Sequence, residues 1–274
     1  MFTLIDSIDN LAFLNKELSQ KSYLGVDTEF RRTSKNDMRC ALLQVNDGEE
    51  IYLIDTILIP NPEQHASFLY SKSVTKILHS CKEDLEAVYS WTNQRMSNIF
   101  DTQVANSFLG GEFSVSYQSL VESELGIVLE KKETRSNWLR RPLTDSQLKY
   151  ASLDVEYLIH LYLGQKSKLK ASNKLEWHDQ DILNLIDATF TRIPLQELKR
   201  TIPKAQENEL LKKLDKIVEN ISKEESINQT LFFSKKSQKE FLRSVINQGL
   251  ESALNNLSDW RKRLIGKEML EILK

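Results

Sequence analysis

Asp27 and Glu29 stand two residues apart in an apolar stretch, so strand pleating sends both carboxylates to one face. Leu24, Val26, Thr28 and Phe30 then occupy the opposite, buried face. Two carboxylates on a covered strand repel each other and resist desolvation, and a divalent cation relieves both problems. Taken alone, such a pair is more often simply solvated. Asp84 and Asp101 sit where helices begin, and helix capping accounts for each in isolation. Asp154 lies near an apolar helical stripe with Tyr150 one turn earlier, so the two share a face. A hydroxyl there could orient an attacking water, or could merely partner an interior carboxylate. Taken together, Asp27, Glu29, Asp84 and Asp154 make a hard-oxygen set without Cys or His, suited to Mg²⁺ or Mn²⁺ rather than zinc. Two such ions held together are apparatus for cutting a phosphodiester bond.

The elements that must position these residues alternate. The pattern predicts a helix over residues 11–18 and strands over 23–30, 40–45, 51–54, 74–79 and 98–101. The Asn46-Asp47-Gly48 turn makes the second and third of these strands an antiparallel hairpin. Helices are expected over 82–91 and 102–108, and another opens at the Thr144…Gln147 capping box and ends near Gly164. Strands interleaved with helices on this scale indicate an α/β sheet covered on its faces. Beyond Trp177 every segment reads as helical. Candidate helices lie at 210–218, 237–247 and 257–273, with Ser234 and Ser258 as caps.

Hydrophobic content of 40% and charged content of 28% are those of an ordinary globular chain, and no apolar run is long enough to span a bilayer. The opening residues lack the features of a signal peptide, and Cys40 and Cys81 read as buried free thiols. These features predict a cytoplasmic enzyme with no membrane association and no obligate protein partner. Neither a phosphate-binding P-loop nor a dinucleotide fingerprint occurs. Net charge is −2 but unevenly divided: residues 195–274 carry 16 Lys+Arg against 12 Asp+Glu, a net of +4, which leaves −6 for the rest. An acidic front that holds cations and a basic tail that meets nucleic acid fit this division, as does an ordinary solvated surface.

Asp27-Thr28-Glu29-Phe30, the segment from His79 to Glu86, and Tyr150-Ala151-Ser152-Leu153-Asp154 together resemble the three motifs of the DEDD exonuclease superfamily. Tyr150 in place of a His marks the DEDDy subclass. Phe100-Asp101-Thr102-Gln103, Arg135-Ser136-Asn137-Trp138-Leu139 and Arg141-Pro142-Leu143-Thr144 bring the resemblance closer still, to ribonuclease D. Asn137 stands where many relatives have Asp. The resemblance implies a ribonuclease H-like mixed five-stranded sheet with flanking helices, followed by a small all-α module of HRDC type. The expected division is 1–170 for the exonuclease domain, 171–202 for a helical linker and 203–274 for that module, of which typical relatives carry two.

The resemblance also implies roles. Asp27 would bridge two divalent cations, Mg²⁺ or Mn²⁺. Glu29 and Asp154 would complete the water-activating site, Asp84 would hold the second ion, and Tyr150 would position the nucleophile. Candidate substrate contacts are Phe30, His79, Arg135 and Arg141; for His79 a hydrogen-bonded core role is an equal alternative. The expected activity is removal of nucleoside 5′-monophosphates from RNA 3′ ends, including tRNA precursors. The alternatives are a DNA exonuclease of the same superfamily and a non-catalytic RNA-binding protein on this fold.

Overall fold

In the computed structural model, residues 2–34, 37–129, 136–191 and 201–272 are described. Strands β1 (Phe2–Ile5), β2 (Tyr23–Ser34), β3 (Asp37–Asn46), β4 (Ile51–Ile54), β5 (Thr75–Leu78) and β6 (Ile99–Asp101) form one mixed sheet in the order β1-β4-β3-β2-β5-β6. The five expected strands are β2 to β6, and β3 runs antiparallel to both its neighbours. The sheet has a sixth strand, β1, which pairs in parallel with β4 at the edge. Its four residues carry no usable alternation, so only the neighbouring strand reveals it.

β2 and β3 are longer than their apolar patterns. Both run on as a two-stranded ribbon, with Arg31 opposite Arg39 and Arg32 opposite Met38. A bulge interrupts the pairing just after Glu29, where Ala41 is the extra residue on β3.

Helices α1 (Ile8–Leu18) and α2 (Lys82–Thr92) and a 3₁₀ segment (Glu63–Leu69) cover one face, over Leu24, Val26, Leu43 and Val45. Helix α3 (Thr102–Phe108) follows β6, α4 (Tyr117–Leu125) follows α3, and α5 (Asp145–Glu156) and α6 (Leu158–Ala171) cover the other face. Burying each such aliphatic side chain stabilises the fold by about 1.5–3 kcal/mol, so the alternation on β2 and β3 sets which face each carboxylate takes.

The capping box at Thr144 and Gln147 starts α5 as expected. Gly164 is no cap, however: it lies inside α6, and the chain breaks earlier, at Tyr157. The reason is tertiary. Asn46 Nδ2 donates to the carbonyls of Val155 and Glu156 at 3.0 and 3.1 Å, and the Tyr157 N–H is taken by Tyr117 Oη at 3.0 Å. Gly25 on β2 lets this junction approach, since a Cβ there would lie 3.2 Å from Leu158 Cβ and 3.3 Å from the Val155 carbonyl oxygen.

Helix α7 (Leu175–Phe190) lies in the expected linker, and residues 192–200 of that linker lie outside the described residues. The tail folds as α8 (Lys204–Glu224), α9 (Gln229–Phe233), α10 (Lys235–Gln248), α11 (Leu250–Asn255) and α12 (Asp259–Ile272), with Ser234 capping α10. These helices dock against α3 and α7. Trp260 stacks on Trp177 at 5.2 Å and meets Phe108 edge-on, while buried Lys174 donates to the carbonyls of Phe108, Glu225 and Ser226. Arg261, the first member of the basic Arg261-Lys262-Arg263 cluster, spends all its N–H groups on Asp181, Ser258 and the carbonyls of Leu231 and Phe232. It is a strut between α12 and α7.

Candidate active site

β5 leaves β2 after the Gly25–Ile77 pair, so β2 continues with only β3 beside it. Asp27 and Glu29 follow at once, on the face that α5 crosses. From α5, Asp154 reaches the same point. Ligand oxygens of Asp27, Glu29 and Asp154 all lie within 4.8 Å of one another. These three carboxylates, with His79, Tyr117, Gln118, Tyr150 and Leu158, line a cavity of about 190 Å³.

Asp84 comes from the other side of the sheet, in the first turn of α2, and is nearly fully buried. It stands outside the three-carboxylate cluster and accepts a 2.5 Å hydrogen bond from Thr28 Oγ1. Thr28 is thus more than a core residue: it ties the first motif to the second. The turn before α2 is held by Asp101, whose carboxylate accepts from the N–H groups of Ser80, Cys81, Gln103 and Val104. Capping by Asp101 is correct for α3, and the same side chain anchors the approach to Asp84.

The Tyr150 hydroxyl stands near enough to Asp154 to favour that carboxylate's charged form, and its ring lies 6.1 Å from that of Trp138. The structure also adds Tyr117, absent from the sequence reading. Its hydroxyl donates to the Leu153 carbonyl at 3.2 Å and so fixes the helical turn that bears Asp154. The one sequence signal for it is Ser116, the N-cap of α4. His79 is half-buried, with Nε2 2.9 Å from the Val115 carbonyl and Nδ1 2.9 Å from Thr102 Oγ1. Because a carbonyl only accepts, Nε2 carries the proton. Burial lowers the imidazole pKa. His79 therefore has a hydrogen-bonded structural role while its ring forms part of the cavity wall.

The remaining substrate candidates divide. Phe30 packs partly on the α2 face and lines a second cavity, of about 330 Å³, with Arg31, Ser136, Asn137 and Trp138. Arg135 lies outside the described residues. Arg141 is turned toward acceptors of the protein itself. Its Nε and Nη2 grip Asp55 at 2.5 and 2.8 Å, Nη2 also donates to the Ala41 carbonyl at the bulge, and Nη1 donates to the carbonyls of Trp138 and Arg140. All five donors are used, so no fork remains for a phosphate. The expected phosphate contact is corrected to a clamp that holds the Trp138 loop against the bulged strand.

The electrostatics of the carboxylate cluster are one-sided. Burial, then the charges of Asp84, Asp154 and Glu29, push Asp27 well above the carboxylate range. Burial raises Glu29 to about 9, with Asp154 and Asp84 adding to it. Burial likewise raises Asp84 and Asp154 to about 7, against the hydrogen bond from Thr28 and the nearby Tyr150 hydroxyl. Gln44, directly opposite Asp27 in the strand register, is fully buried, and neither amide atom has a partner among the described residues. Gathered carboxylate oxygens that resist ionisation fit a hard divalent cation, which would supply the missing positive charge.

The 3′-5′ exonuclease family model matches residues 2–170. Ribonuclease D of Shewanella sp. strain ANA-3 is 38% identical over 177 residues, covering 65% of this chain and 46% of that protein. Ribonuclease D of Pseudomonas paraeruginosa is 39% identical over 194 residues, covering 69% and 51%. The chain thus spans about half the length of these curated relatives. Among solved structures, Escherichia coli RNase D is 26% identical and superposes with a TM-score of 0.65 over 99% of this chain and 74% of that one. A Bifidobacterium adolescentis protein, 16% identical, shares the fold with a TM-score of 0.74 over 98% and 96%. Since the matched segment contains β2, α2 and α5, which carry all five motif residues, the chain belongs to the 3′-5′ exonuclease family, with ribonuclease D proteins among its relatives.

Proposed function

We propose that this chain is a 3′→5′ exoribonuclease that hydrolyses RNA from its 3′ end to nucleoside 5′-monophosphates, in the cytoplasm. The observation that carries this reading is the meeting of Asp27, Glu29 and Asp154, with Tyr150 beside them, in a solvent-reached cavity. Asp27, Glu29 and Asp154 would hold one divalent cation, and Asp84 together with Asp27 a second. Bound there, such ions supply Lewis-acid stabilisation of the phosphoryl oxygens and lower the pKa of an attacking water. The chain's own part is geometric. Tyr150 would orient the water through its hydroxyl, and Tyr117 and Asn46 fix the end of α5 that carries Asp154.

Escherichia coli RNase D is described as an exoribonuclease involved in structured RNA processing. By that likeness the substrates proposed here are structured RNA 3′ ends, tRNA precursors among them. In the proposed division of labour, residues 1–170 cleave, 171–202 connect, and 203–274, an HRDC-like module, aid RNA binding.

Digestion of 3′- and 5′-labelled RNA and DNA oligonucleotides with Mg²⁺, Mn²⁺ or excess EDTA tests the reading. The expected result is metal-dependent release of nucleoside 5′-monophosphates from RNA 3′ ends. Equal cleavage in EDTA, or cleavage of DNA alone, overturns it.

A further inference from the structure

Beyond Glu29, β2 carries Arg31 at the next position of the same parity, so Asp27, Glu29 and Arg31 line one side of the strand. Arg31 stands about 7 Å past Glu29 at a strand rise of about 3.3 Å per residue. Across the ribbon its direct partner is Arg39. Both arginines are exposed, and among the described residues neither has an acidic partner. Like charges directly opposite in an antiparallel pair oppose folding. The adjacent Arg32 shows the contrast. It points the other way and is paired with Glu83 and Glu86 on α2. Arg31 also lines the second cavity, with Phe30 and Trp138, and Trp138 in turn touches Tyr150 of the first.

We propose that the Arg31–Arg39 pair is a phosphate clamp for the RNA strand leaving the active site, gripping the backbone on the 5′ side of the scissile bond. The inference rests on the exoribonuclease reading and deepens it. A polyanion is the partner that turns cross-strand repulsion into attraction, and Arg31 in the wall of a cavity it shares with Phe30 and Trp138, with Arg39 across the ribbon from it, matches a nucleotide's charge and ring. The strand that presents the carboxylates would thereby also set how much RNA is held beyond the terminal nucleotide.

The test uses the full chain and the variants Arg31→Gln, Arg39→Gln and both together. Two substrates are compared: a ten-nucleotide RNA, and the p-nitrophenyl ester of a nucleoside 5′-monophosphate, which carries only the scissile phosphate. The ratio of kcat/KM for the RNA to that for the ester should fall roughly tenfold or more in the double variant. Binding of labelled RNA to a cleavage-deficient Asp27→Asn background should lose salt dependence, its log–log slope shrinking by about 1.4 for two lost single-strand contacts. Arg39→Lys should restore most of the slope. An unchanged ratio together with an unchanged slope overturns the clamp, leaving the pair as solvated surface. If the unaltered protein cleaves neither substrate, the exoribonuclease reading fails, and the slope measurement still decides whether the pair binds RNA.

Discussion

Two sets of acidic residues in this molecule, all at least partly buried, have opposite surroundings. Asp55 is gripped by the Arg141 fork, Asp101 by four backbone N–H groups, and Asp181 by Arg261 and the Trp260 indole. Each of these carboxylates is met by several hydrogen-bond donors. Asp27, Glu29 and Asp154 instead face one another, Asp84 lies outside their cluster on Thr28, and burial raises all four. A fold that satisfies the first set so fully does not leave the second unmet by accident. The unsatisfied set marks the candidate site, at the cost of local stability.

The largest effect that could break this contrast is on activity. Asp27→Asn should abolish cleavage, since an amide cannot bridge cations as a carboxylate can, while the metal-free protein unfolds at the same or a higher temperature. Single-turnover cleavage beside thermal unfolding checks both; a cleaving or strongly destabilised variant would place Asp27 with the structural carboxylates. Tyr150→Phe removes the orienting hydroxyl and keeps the metal ligands. It should slow the chemical step by about 10²–10⁴ with RNA affinity near wild type. A wild-type rate would make Tyr150 a core tyrosine.

The structural set should respond in the reverse way. Arg141→Ala strands Asp55 in the interior and should cost about 3–5 kcal/mol, read from urea unfolding. A loss below 1 kcal/mol would mean the Trp138 loop is held by other means.

The smallest effect sharpens the comparison through pH. Asp84 and Asp154 titrate near pH 7 and Glu29 near 9 in the folded chain, above their ordinary values of 3.8 and 4.5. The folded state therefore binds more protons than the unfolded state in this range, and their stabilising contribution, complete below about pH 4, is lost as pH rises through 7 to 9. Metal-free protein should melt at a lower temperature at pH 8 than at pH 5, and Mg²⁺ should recover the difference at pH 8. A flat profile, or one unaffected by Mg²⁺, would show that the four carboxylates are not the source of strain.

Much of the site was legible because its residues lie in local patterns. The two-residue spacing of Asp27 and Glu29, the four-residue spacing of Tyr150 and Asp154, and the capping box at Thr144 each follow from strand or helix geometry. Arg141 was misread because nothing near it in sequence announces Asp55, 86 residues away. β1, the early break of α5, Tyr117 and the ribbon were hidden for the same reason, since each depends on a partner distant in the chain.

The sequence by itself determined the family, the five motif residues and the facing of each carboxylate, because hydrophobic alternation and helical period fix side-chain direction over a few residues. Only the tertiary structure decided which charges remain unmet. That depends on whether long-range partners such as Arg141 and Arg261 reach a buried carboxylate or are spent elsewhere. Three carboxylates converge because β5 parts from β2 at Gly25 and Asn46 ends α5 beside it, and neither event is written in a local pattern.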